Sequence, residues 1–233
     1  MNKVAIIPAR GGSKRIKHKN IKFFCGKEII AWSIEAALES GCFDRIIVST
    51  DDETIMKVAN KYGVEAPFVR PADISDDFST TSEVIAHSIQ WLNDNELMPD
   101  LVCCIYATAP FITPKDIVSG LELLIKKQGE FVFPVTSFPF PIQRALKIEN
   151  DGSVNMYQPD NYLTRSQDLT PAYHDAGQFY WGSANAWLQK KSIFTNSKTF
   201  PLLLPSYRVQ DIDTVEDWVR AEMMHKTINL GNY

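Results

Sequence analysis

The feature that most constrains the fold is a regular alternation of short apolar runs and helix-like segments through the first two-thirds of the chain. Apolar runs at 3–8, 45–49, 65–69, 100–106 and 131–135 predict strands, and the segments between them carry apolar residues at helical spacing. Consecutive parallel strands need a connection about as long as a helix. The alternation therefore predicts a Rossmann-like α/β fold, with a mostly parallel sheet covered by helices on both faces.

Threonine, glutamate and proline mark where several helices should begin. Thr50 with Glu53, and Thr80 with Glu83, have the three-residue spacing of a capping box, in which each side chain accepts a hydrogen bond from the other residue's backbone N–H. Pro114 fits the first turn of a further helix, where no N–H donor is needed. We therefore expect helices to start after Thr50, after Thr80 and near Pro114.

The alternation breaks between about 138 and 175, a segment that contains several aromatic residues, several prolines and an Asp-Gly pair at 151–152. Asp-Gly pairs favour tight hairpin turns, so we interpret this segment as a small hairpin-containing insertion, either a lid over the site or a dimerisation element. The α/β pattern resumes at 178–181 and ends in a helix over 214–227, within one domain that spans 1–233. The last helix is expected to bury Val215, Trp218, Val219 and Met223.

Composition excludes several classes of protein. The 24 basic and 28 acidic residues give a net charge of −4, which offers no basic surplus for nucleic acid or an anionic membrane. No apolar run approaches the roughly 20 residues that cross a bilayer. The first apolar run leads directly into Arg10, so no signal peptide is expected. The 4 cysteines form no Cys-x-x-Cys pair, which favours buried thiols in a cytoplasmic protein over zinc or disulfides.

The loop after the first strand combines two glycines with a cluster of basic residues. It reads Arg10-Gly11-Gly12-Ser13-Lys14-Arg15. Ligands of open α/β sheets bind beyond the carboxyl ends of strands, and successive amides in a glycine-containing loop can bind anions. The loop therefore suits a triphosphate, and a solvated basic loop is the simpler alternative. Neither G-x-x-x-x-G-K-[ST] nor G-x-G-x-x-G is present, which argues against a P-loop NTPase and a dinucleotide-binding protein.

The segment Pro-Ala-Arg-Gly-Gly-Ser-Lys-Arg-Ile-x-x-Lys-Asn at 8–20 resembles the signature of the CMP-sugar synthetases, the cytidylyltransferases that activate sialic acid and related nonulosonic acids. Further similarity at 45–52, 70–71, 107–110 and 211–213 extends the resemblance over essentially the whole chain. It implies a fold of the nucleotide-diphospho-sugar transferase type and CTP as a substrate. The nucleotide-binding residues that it implies are Ala9, Arg10, Gly11, Gly12, Ser13, Arg15, Lys19, Asn20, Arg70 and Thr80. The implied catalytic residues are Arg10, Lys19 and Asp211.

Two of the implied nucleotide contacts have a structural alternative. Arg70 could instead form a surface salt bridge, which would contribute little to binding. Thr80 is explained more simply as the helix cap described above. The hydroxyl groups around Thr80, from Ser79 to Ser82, share this ambiguity.

Asp211 and Asp213 come just before the last helix. Two aspartates two residues apart in an extended segment point to the same side, and their hard oxygens suit Mg²⁺, which also binds substrate phosphates. The alternative is that Asp213 caps the last helix while Asp211 is solvated. Asp51 and Asp52 are a competing pair, although their place before a helix explains them without a metal. The family resemblance favours Asp211 and Asp213 as the metal ligands.

The acceptor side departs from the sialic acid pattern. Sialic acid synthetases of this family carry glutamine in a Q-x-T-[SA]-P motif, where this chain has Tyr106-Ala107-Thr108-Ala109-Pro110. A phenol offers different hydrogen bonds from an amide, which points away from N-acetylneuraminic acid. The stretches 138–144 and 174–181 most closely resemble the pseudaminic acid branch of the family, which implies pseudaminic acid as the acceptor. The implied sugar-binding residues are Tyr106, Thr108, Arg165, Asp175, Gln178 and Phe179, with Arg144 as an alternative cation for the sugar carboxylate.

The reaction that the resemblance implies is attack by the anomeric hydroxyl of an acidic nine-carbon sugar on the α-phosphorus of CTP, with Mg²⁺ as cofactor and pyrophosphate as leaving group. A homodimer is implied as well, because members of this family are usually dimers. CMP-N-acetylneuraminic and CMP-legionaminic acid synthetases are the alternatives within the family. A non-catalytic nucleotide-binding regulator is the alternative outside it.

Overall fold

A seven-stranded sheet forms the centre of the computed structural model, which describes residues 1–230 apart from the side chain of Asn229. The strands in this range are β1 (Lys3–Pro8), β2 (Phe23–Phe24), β3 (Lys27–Glu28), β4 (Arg45–Ser49), β5 (Leu101–Ile105), β6 (Phe131–Ser137), β7 (Leu146–Ile148), β8 (Val154–Met156), β9 (Tyr173–Asp175), β10 (Phe179–Ser183) and β11 (Thr199–Leu203). The α-helices in this range are α1 (Ile29–Ser40), α2 (Glu53–Lys61), α3 (Thr81–Asp94), α4 (Pro114–Lys127), α5 (Ala184–Leu188) and α6 (Val215–Leu230).

The strand order across the sheet is β11-β6-β10-β5-β1-β4, and β9 pairs with β6. β1 runs parallel to β4 and β5, and β6 runs parallel to β11. β10 lies antiparallel between β5 and β6, and β9 is also antiparallel to β6. The mostly parallel sheet is confirmed. The predicted strand at 65–69 is wrong, because the segment makes isolated bridges to Ile47 and Thr50 and no continuous ladder.

The two faces of the sheet are covered by different helices. Along β1, Ala5 and Ile7 join a core that includes Ile30 and Ile34 of α1 and Ile117 of α4. The alternate residues Val4 and Ile6 join the opposite core with α3 and α5. Successive side chains of a strand point to opposite faces, so both sets are buried and β1 reads as a continuous apolar run. A helix layer on each face is therefore confirmed.

Helix starts agree with the predictions at two of three places. The Thr80–Glu83 capping box is present at α3, and Pro114 is the first residue of α4. The predicted cap at Thr50 is wrong. Asp52 caps α2 by accepting hydrogen bonds from two backbone N–H groups, while the Thr50 hydroxyl accepts the N–H of Asp52. A carboxylate adjacent to the first turn is the stronger acceptor for the free amides of a helix start.

The last helix buries a different face from the one predicted. Trp218 is buried as expected, but Val215, Val219 and Met223 are exposed. The buried residues are Trp218, Ala221 and His225, which pack against Phe24 and α1. The face of α6 that becomes buried is the one that contacts Phe24 of the β2–β3 hairpin. This hairpin has no strong sequence signal, so the buried face could not be predicted.

The insertion at 138–175 contains the predicted hairpin. β7 pairs with β8, and Gly152 in the connecting turn has a positive φ of 83°. The end of the insertion, β9, belongs to the central sheet. Whether the insertion is a lid or an interface stays a prediction. None of the helices within 1–230 is long and apolar enough to span a membrane. Cys42, Cys103 and Cys104 are buried free thiols.

Candidate active site

A cavity of about 280 Å³, here called the basic cavity, lies beyond the carboxyl ends of β1 and β5. Its position is the one expected for ligands of open α/β sheets. The predicted site residues that line it are Arg10, Ser13, Arg15, Lys19, Asn20, Arg70, Tyr106, Thr108 and Asp213. Residues from the loop after β1 thus meet residues far along the chain, and most of the predicted nucleotide contacts surround one space.

The loop at 10–15, here called the glycine loop, packs against the two aspartates that precede α2. The Gly11 N–H donates to Asp51 Oδ1 at 2.9 Å, and a Cβ atom on Gly11 would lie 2.5 Å from Asp52 Oδ2. The side chain of Ala9 is buried, and its N–H pairs with Ser49. Ala9 and Gly11 therefore shape the loop. Nucleotide contact by these two residues stays a prediction, and it is not favoured for the Gly11 amide, which is already paired, or for the buried Ala9 side chain. Gly12 has open space around it but does not line the cavity.

Two basic residues at the start of the loop pair with one carboxylate. Arg10 Nη2 lies 2.6 Å from Asp77 Oδ1, and Lys14 forms an ion pair with the other oxygen of Asp77. Hydrogen bonds from Lys14 and Arg10 lower the pKa of Asp77. These contacts place two cations at the rim of the cavity. When a polyphosphate binds, Arg10 and Lys14 could replace their contacts with the Asp77 carboxylate by contacts with several phosphate oxygens.

A second carboxylate gathers the next two basic residues. Arg15 Nη2 lies 2.9 Å from Asp213 Oδ1, and Lys19 Nζ lies 3.3 Å from the same oxygen. Lys19 also donates to the carbonyl of Ile212 at 2.8 Å. Asn20 is buried and donates to the carbonyl of Arg10 at 2.9 Å. The predicted phosphate-binding cations thus converge on the segment before α6.

Arg70 is a buried cation with an unused donor. Its side chain is 3% exposed, and its Nε donates to Ser75 Oγ at 3.1 Å. Its Nη2 lies 3.7 Å from Asp51 Oδ1 and has no hydrogen-bond partner within residues 1–230. Burial lowers the pKa of Arg70, and Asp51 opposes this shift. The alternative of a surface salt bridge is wrong, and the unused donor, costly to bury, indicates a ligand contact in the cavity.

Thr80 does not line the cavity, because its side chain caps α3. The simpler interpretation of Thr80 as a helix cap is therefore confirmed, and nucleotide contact by Thr80 stays a prediction that the cap does not favour. Its neighbour Thr81 lines the cavity instead, with Oγ1 at 3.4 Å from the Tyr106 hydroxyl. Thr81 belongs to the group of hydroxyls from Ser79 to Ser82 that the sequence offered as nucleotide contacts, whereas Asp77 was missed. The first residue of a capped helix lying beside the site was the available signal for Thr81.

A neighbouring cavity of about 440 Å³, here called the tyrosine cavity, shares Tyr106 with the basic cavity. It is lined by Tyr106, His174, Asp175, Ala176, Gly177, Tyr180, Val209, Gln210 and Asp211. The Tyr180 hydroxyl donates to Asp175. Burial raises the pKa of both Tyr106 and Tyr180, so both phenols remain protonated at neutral pH. The wall between the cavities therefore offers hydroxyl donors and one carboxylate.

Several predicted sugar contacts lie elsewhere. Phe179 is fully buried in the core opposite Gly120, because alternate residues of β10 point to opposite faces and Tyr180 takes the cavity side. Gln178 is buried and donates to the Arg208 carbonyl at 2.8 Å. Neither residue lines the tyrosine cavity, whereas Asp175 does, so sugar contact by Gln178 and Phe179 stays a prediction that these positions do not favour. Sequence analysis missed Tyr180.

The two arginines proposed for the sugar carboxylate lie on the insertion, outside both cavities. Arg165 is exposed, with its Nε at 2.7 Å from Asp168 Oδ2. Arg144 is also exposed and donates to the carbonyl of Thr164. Of the residues that the structure describes, no lysine or arginine lines the tyrosine cavity. Residues 1–230 therefore supply no permanently charged basic side chain to the lining of this cavity.

The aspartate pair before α6 lies where the cavities adjoin. Asp213 lines the basic cavity and Asp211 lines the tyrosine cavity. Removal from water and the nearby Asp213 raise the pKa of Asp211. Asp213 is not a helix cap, because Thr214 and Asp217 form reciprocal hydrogen bonds at the start of α6. The alternative interpretation of Asp213 is therefore wrong.

The donor chemistry of this pair fits a hard cation. The negative charge of Asp213 destabilises the ionised form of Asp211. A bound divalent cation would offset this repulsion, and carboxylate oxygens are suitable ligands for it. Within residues 1–230 there is no group of three or more His, Cys, Asp or Glu side chains that could hold a metal. Magnesium tolerates such a site, because it keeps several waters and binds substrate phosphates. Asp51 and Asp52 are instead engaged by the glycine loop and the α2 cap.

A mostly parallel sheet with a cationic cavity at its strand ends, and a carboxylate pair beside it, is the arrangement of a nucleotidyltransferase. The chain belongs to the cytidylyltransferase family, whose profile matches residues 4–226. The pseudaminic acid cytidylyltransferases of two Campylobacter jejuni strains are 46% and 47% identical to it over 227 residues, which cover 97% of this chain and 97% of each relative.

The chain is also similar, at lower sequence identity, to synthetases named for other acidic sugars. The CMP-N,N'-diacetyllegionaminic acid synthase of Legionella pneumophila is 33% identical over 231 residues, which cover 96% of each chain. A solved structure of a CMP:2-keto-3-deoxy-manno-octonic acid synthetase in complex with CTP aligns with a TM-score of 0.70 at 15% identity, covering 97% of this chain and 99% of that chain. At this identity the structural match shows a common fold.

Proposed function

We propose that this protein transfers CMP from CTP to the anomeric hydroxyl of pseudaminic acid, which yields CMP-pseudaminic acid and pyrophosphate. The observation that supports this best is the pair of adjoining cavities, one lined by cations and one by tyrosines, with Asp211 and Asp213 where they meet. The high similarity to pseudaminic acid cytidylyltransferases along nearly the whole chain supports the same reaction. The sugar would occupy the tyrosine cavity and CTP the basic cavity.

The basic cavity would bind the triphosphate through charge. Arg10, Arg15 and Lys19 are held near the loop after β1 by Asp77 and Asp213. Fixed cations stabilise the charge that develops on the leaving pyrophosphate, because they need no rearrangement during the reaction. Arg70, with its unused Nη2, would contact the cytidine part of the nucleotide.

The transfer is a displacement at the α-phosphorus. The bond between the sugar oxygen and this phosphorus forms, and the bond to the bridging oxygen breaks, so pyrophosphate leaves with the electron pair. The hydroxyl proton passes to solvent or to a carboxylate. The protonated Tyr106 would donate a hydrogen bond to the sugar, and Tyr180, whose proton is donated to Asp175, would accept one, which would hold the sugar in line with the phosphorus.

Asp211 and Asp213 would hold Mg²⁺. The ion supplies positive charge to phosphate oxygens as the pyrophosphate leaves. Asp213 would then exchange its contacts with Arg15 and Lys19 for the metal and leave both cations free to bind phosphate. The pKa of Asp211 is raised by partial removal from water and, to a smaller extent, by the nearby Asp213, and the second of these effects supports this assignment.

The missing cation of the tyrosine cavity would come from a second copy of the chain. The insertion exposes many large apolar residues, including Phe140, Ile148, Val154, Tyr162 and Leu163. Exposed apolar surface of this extent is typical of an interface. We therefore propose a homodimer formed through the insertion, in which Arg165 of the partner subunit binds the sugar carboxylate.

Use of CTP and the buried free thiols support a cytoplasmic location.

The experiment that tests the proposal is pyrophosphate release with CTP, Mg²⁺ and a panel of pseudaminic, legionaminic and N-acetylneuraminic acids. We expect turnover to be fastest with pseudaminic acid. Faster turnover with either of the other acids would replace the substrate assignment. Binding of CTP without pyrophosphate release from any acid would favour a nucleotide-binding regulator.

A further inference from the structure

The two aspartates that follow β4 have no part in the reaction outlined above. Asp52 caps α2, so its role is structural. Asp51 is 29% exposed and does not line the basic cavity, yet it lies directly behind two of its elements. Its role is the subject of the inference below, which rests on the proposed binding of CTP.

One oxygen of Asp51 reaches both sides of the nucleotide site. Asp51 Oδ1 accepts the Gly11 N–H at 2.9 Å and lies 3.7 Å from Arg70 Nη2. Gly11 belongs to the loop after β1, and Arg70 follows the segment that bridges to the end of β4. The Arg70 N–H donates to the carbonyl of Thr50 at 2.8 Å, so the backbone of Arg70 is anchored beside Asp51 as well. A single carboxylate therefore joins two elements that are 59 residues apart in sequence.

The charge of Asp51 compensates a buried guanidinium. Arg70 is almost fully removed from water, and the nearby Arg10 adds a second positive charge that disfavours it. Asp51 acts in the opposite direction. A buried cation without a partner is costly, and an arginine can avoid this cost by turning toward solvent. Loss of the Asp51 charge would therefore favour an Arg70 rotamer that no longer faces the cavity.

We propose that Asp51 is a positioning residue for CTP, which holds the Arg70 guanidinium and the Gly11 amide in the arrangement that receives the nucleotide. The direction in which removal of the Asp51 charge changes CTP affinity distinguishes this role from a purely electrostatic one. If Asp51 acted through charge alone, its removal from beside a triphosphate site would tighten CTP binding, because like charges repel. If it acts through Arg70 and the glycine loop, its removal weakens CTP binding in spite of the more positive site.

The test is calorimetric titration of the purified protein with CTP in the absence of sugar, for the wild type, Asp51→Asn and Asp52→Asn. Asparagine keeps the shape of both side chains and the capping oxygen at position 52, so the two variants remove the same charge at adjacent positions. We expect Asp51→Asn to weaken CTP binding roughly tenfold, as losses of supporting residues behind a site commonly do. Asp52→Asn should bind CTP as tightly as the wild type or slightly tighter.

A double-mutant cycle tests whether the effect passes through Arg70. In an Arg70→Met background, Asp51→Asn should change CTP affinity far less than in the wild type, because the residue that it orients is gone. In steady-state assays, Asp51→Asn should raise KM for CTP and leave KM for the sugar unchanged. Unaltered or tighter CTP binding by Asp51→Asn would overturn the inference. Failure of the wild type to bind CTP would instead overturn the proposed function.

Discussion

The basic cavity and the tyrosine cavity share Tyr106 but are built in different ways. The basic cavity takes most of its cations from one loop of ten residues after β1, and Asp77 and Asp213 hold these cations in place. The tyrosine cavity is assembled from the end of β5, from β9 and β10, and from the segment before α6. One cavity is thus made by a continuous segment and the other by tertiary structure.

The cavities also differ in what they lack. The basic cavity already carries the charges that a triphosphate needs. The tyrosine cavity has a carboxylate, two protonated phenols and, among the described residues, no lysine or arginine with which to bind an acid. If the proposed function is right, a single chain would suffice to bind the nucleotide, whereas the acidic acceptor would need a cation from elsewhere. The predictions below separate the two abilities.

Loss of Asp211 should have the largest effect, because this carboxylate belongs to the shared boundary of the cavities. Asp211→Asn should lower kcat by roughly 10²–10³-fold, the range found when one preorganised electrostatic contact to a transition state is removed. Affinity for CTP without metal should change little, since Asp211 lies on the side of the tyrosine cavity. Pyrophosphate release measures the first quantity and calorimetry the second. Glu216→Gln, which removes an exposed carboxylate from α6, is the control and should leave both unchanged.

The result that would contradict this prediction is full turnover by Asp211→Asn. Such a result would leave Asp213 alone as the metal ligand. It would also move the metal away from the boundary and into the basic cavity.

Arg165→Ala should impair the acceptor side alone. We expect KM for the acidic sugar to rise about 30-fold, because losing one partner of a desolvated charge pair commonly weakens binding by at least this factor. Affinity for CTP should stay at the wild-type value. Arg220→Ala is a matched control, because Arg220 is also an exposed arginine in a local ion pair. Steady-state kinetics with varied sugar measures the effect.

Mixing two impaired variants, assayed at a sugar concentration far below the raised KM of Arg165→Ala, tests whether the arginine comes from the partner subunit. In a random mixture of Arg165→Ala and Asp211→Asn chains, half of the dimers are mixed, and each mixed dimer has one intact site if Arg165 acts across the interface. Activity should then recover to about a quarter of the wild-type value. If Arg165 acts within its own chain, every site stays defective and no activity returns.

How much the sequence could predict follows the same division between the cavities. Periodicity and turn residues placed most strands and the helices of the first two-thirds, because each is a local pattern, but not the β2–β3 hairpin, and they wrongly predicted a strand at 65–69. The strand β11 was not predicted. It contains Pro201, which is unusual in a central strand but is tolerated at an edge position such as that of β11. The predicted fold was right in class, and the antiparallel direction of β10 was not foreseeable from an apolar run.

The site shows this limit at single residues. The cations after β1 were found because they form one motif. Tyr180 was missed in favour of Phe179, and Thr80 was chosen over Thr81 from the same group of hydroxyls, in each case one position away from the residue that lines a cavity. A fully buried strand carries no alternation that reveals which face its residues occupy, so Tyr180 and Phe179 cannot be told apart before the sheet is known. Asp77 has no local signature at all, because its partners Arg10 and Lys14 lie more than 60 residues away.

Replacement of Tyr106 should alter the choice of sugar with a smaller effect than loss of Arg165. Tyr106 lines both cavities, and Tyr106→Gln exchanges a phenol donor for an amide that can donate and accept. We expect the ratio of kcat/KM for pseudaminic acid over N-acetylneuraminic acid to fall about tenfold, a change typical of one altered hydrogen bond in a specificity pocket. Competition between the two acids in one assay measures this ratio. An unchanged ratio would place the specificity in the insertion instead.

The smallest expected effect separates two neighbouring threonines that differ in what they contact. Thr80→Ala removes the cap of α3 and should lower the free energy of unfolding by about 1 kcal/mol, measured by urea denaturation, with no change in affinity for CTP or sugar. Thr81→Ala should do the reverse, because Thr81 lines the basic cavity and contacts the Tyr106 hydroxyl while leaving the cap intact. Thr113→Ala, which removes the equivalent cap of α4, is the control for stability. If Thr80→Ala weakens CTP binding at full stability, the cap position itself contacts the nucleotide, and the basic cavity extends one residue beyond its present lining.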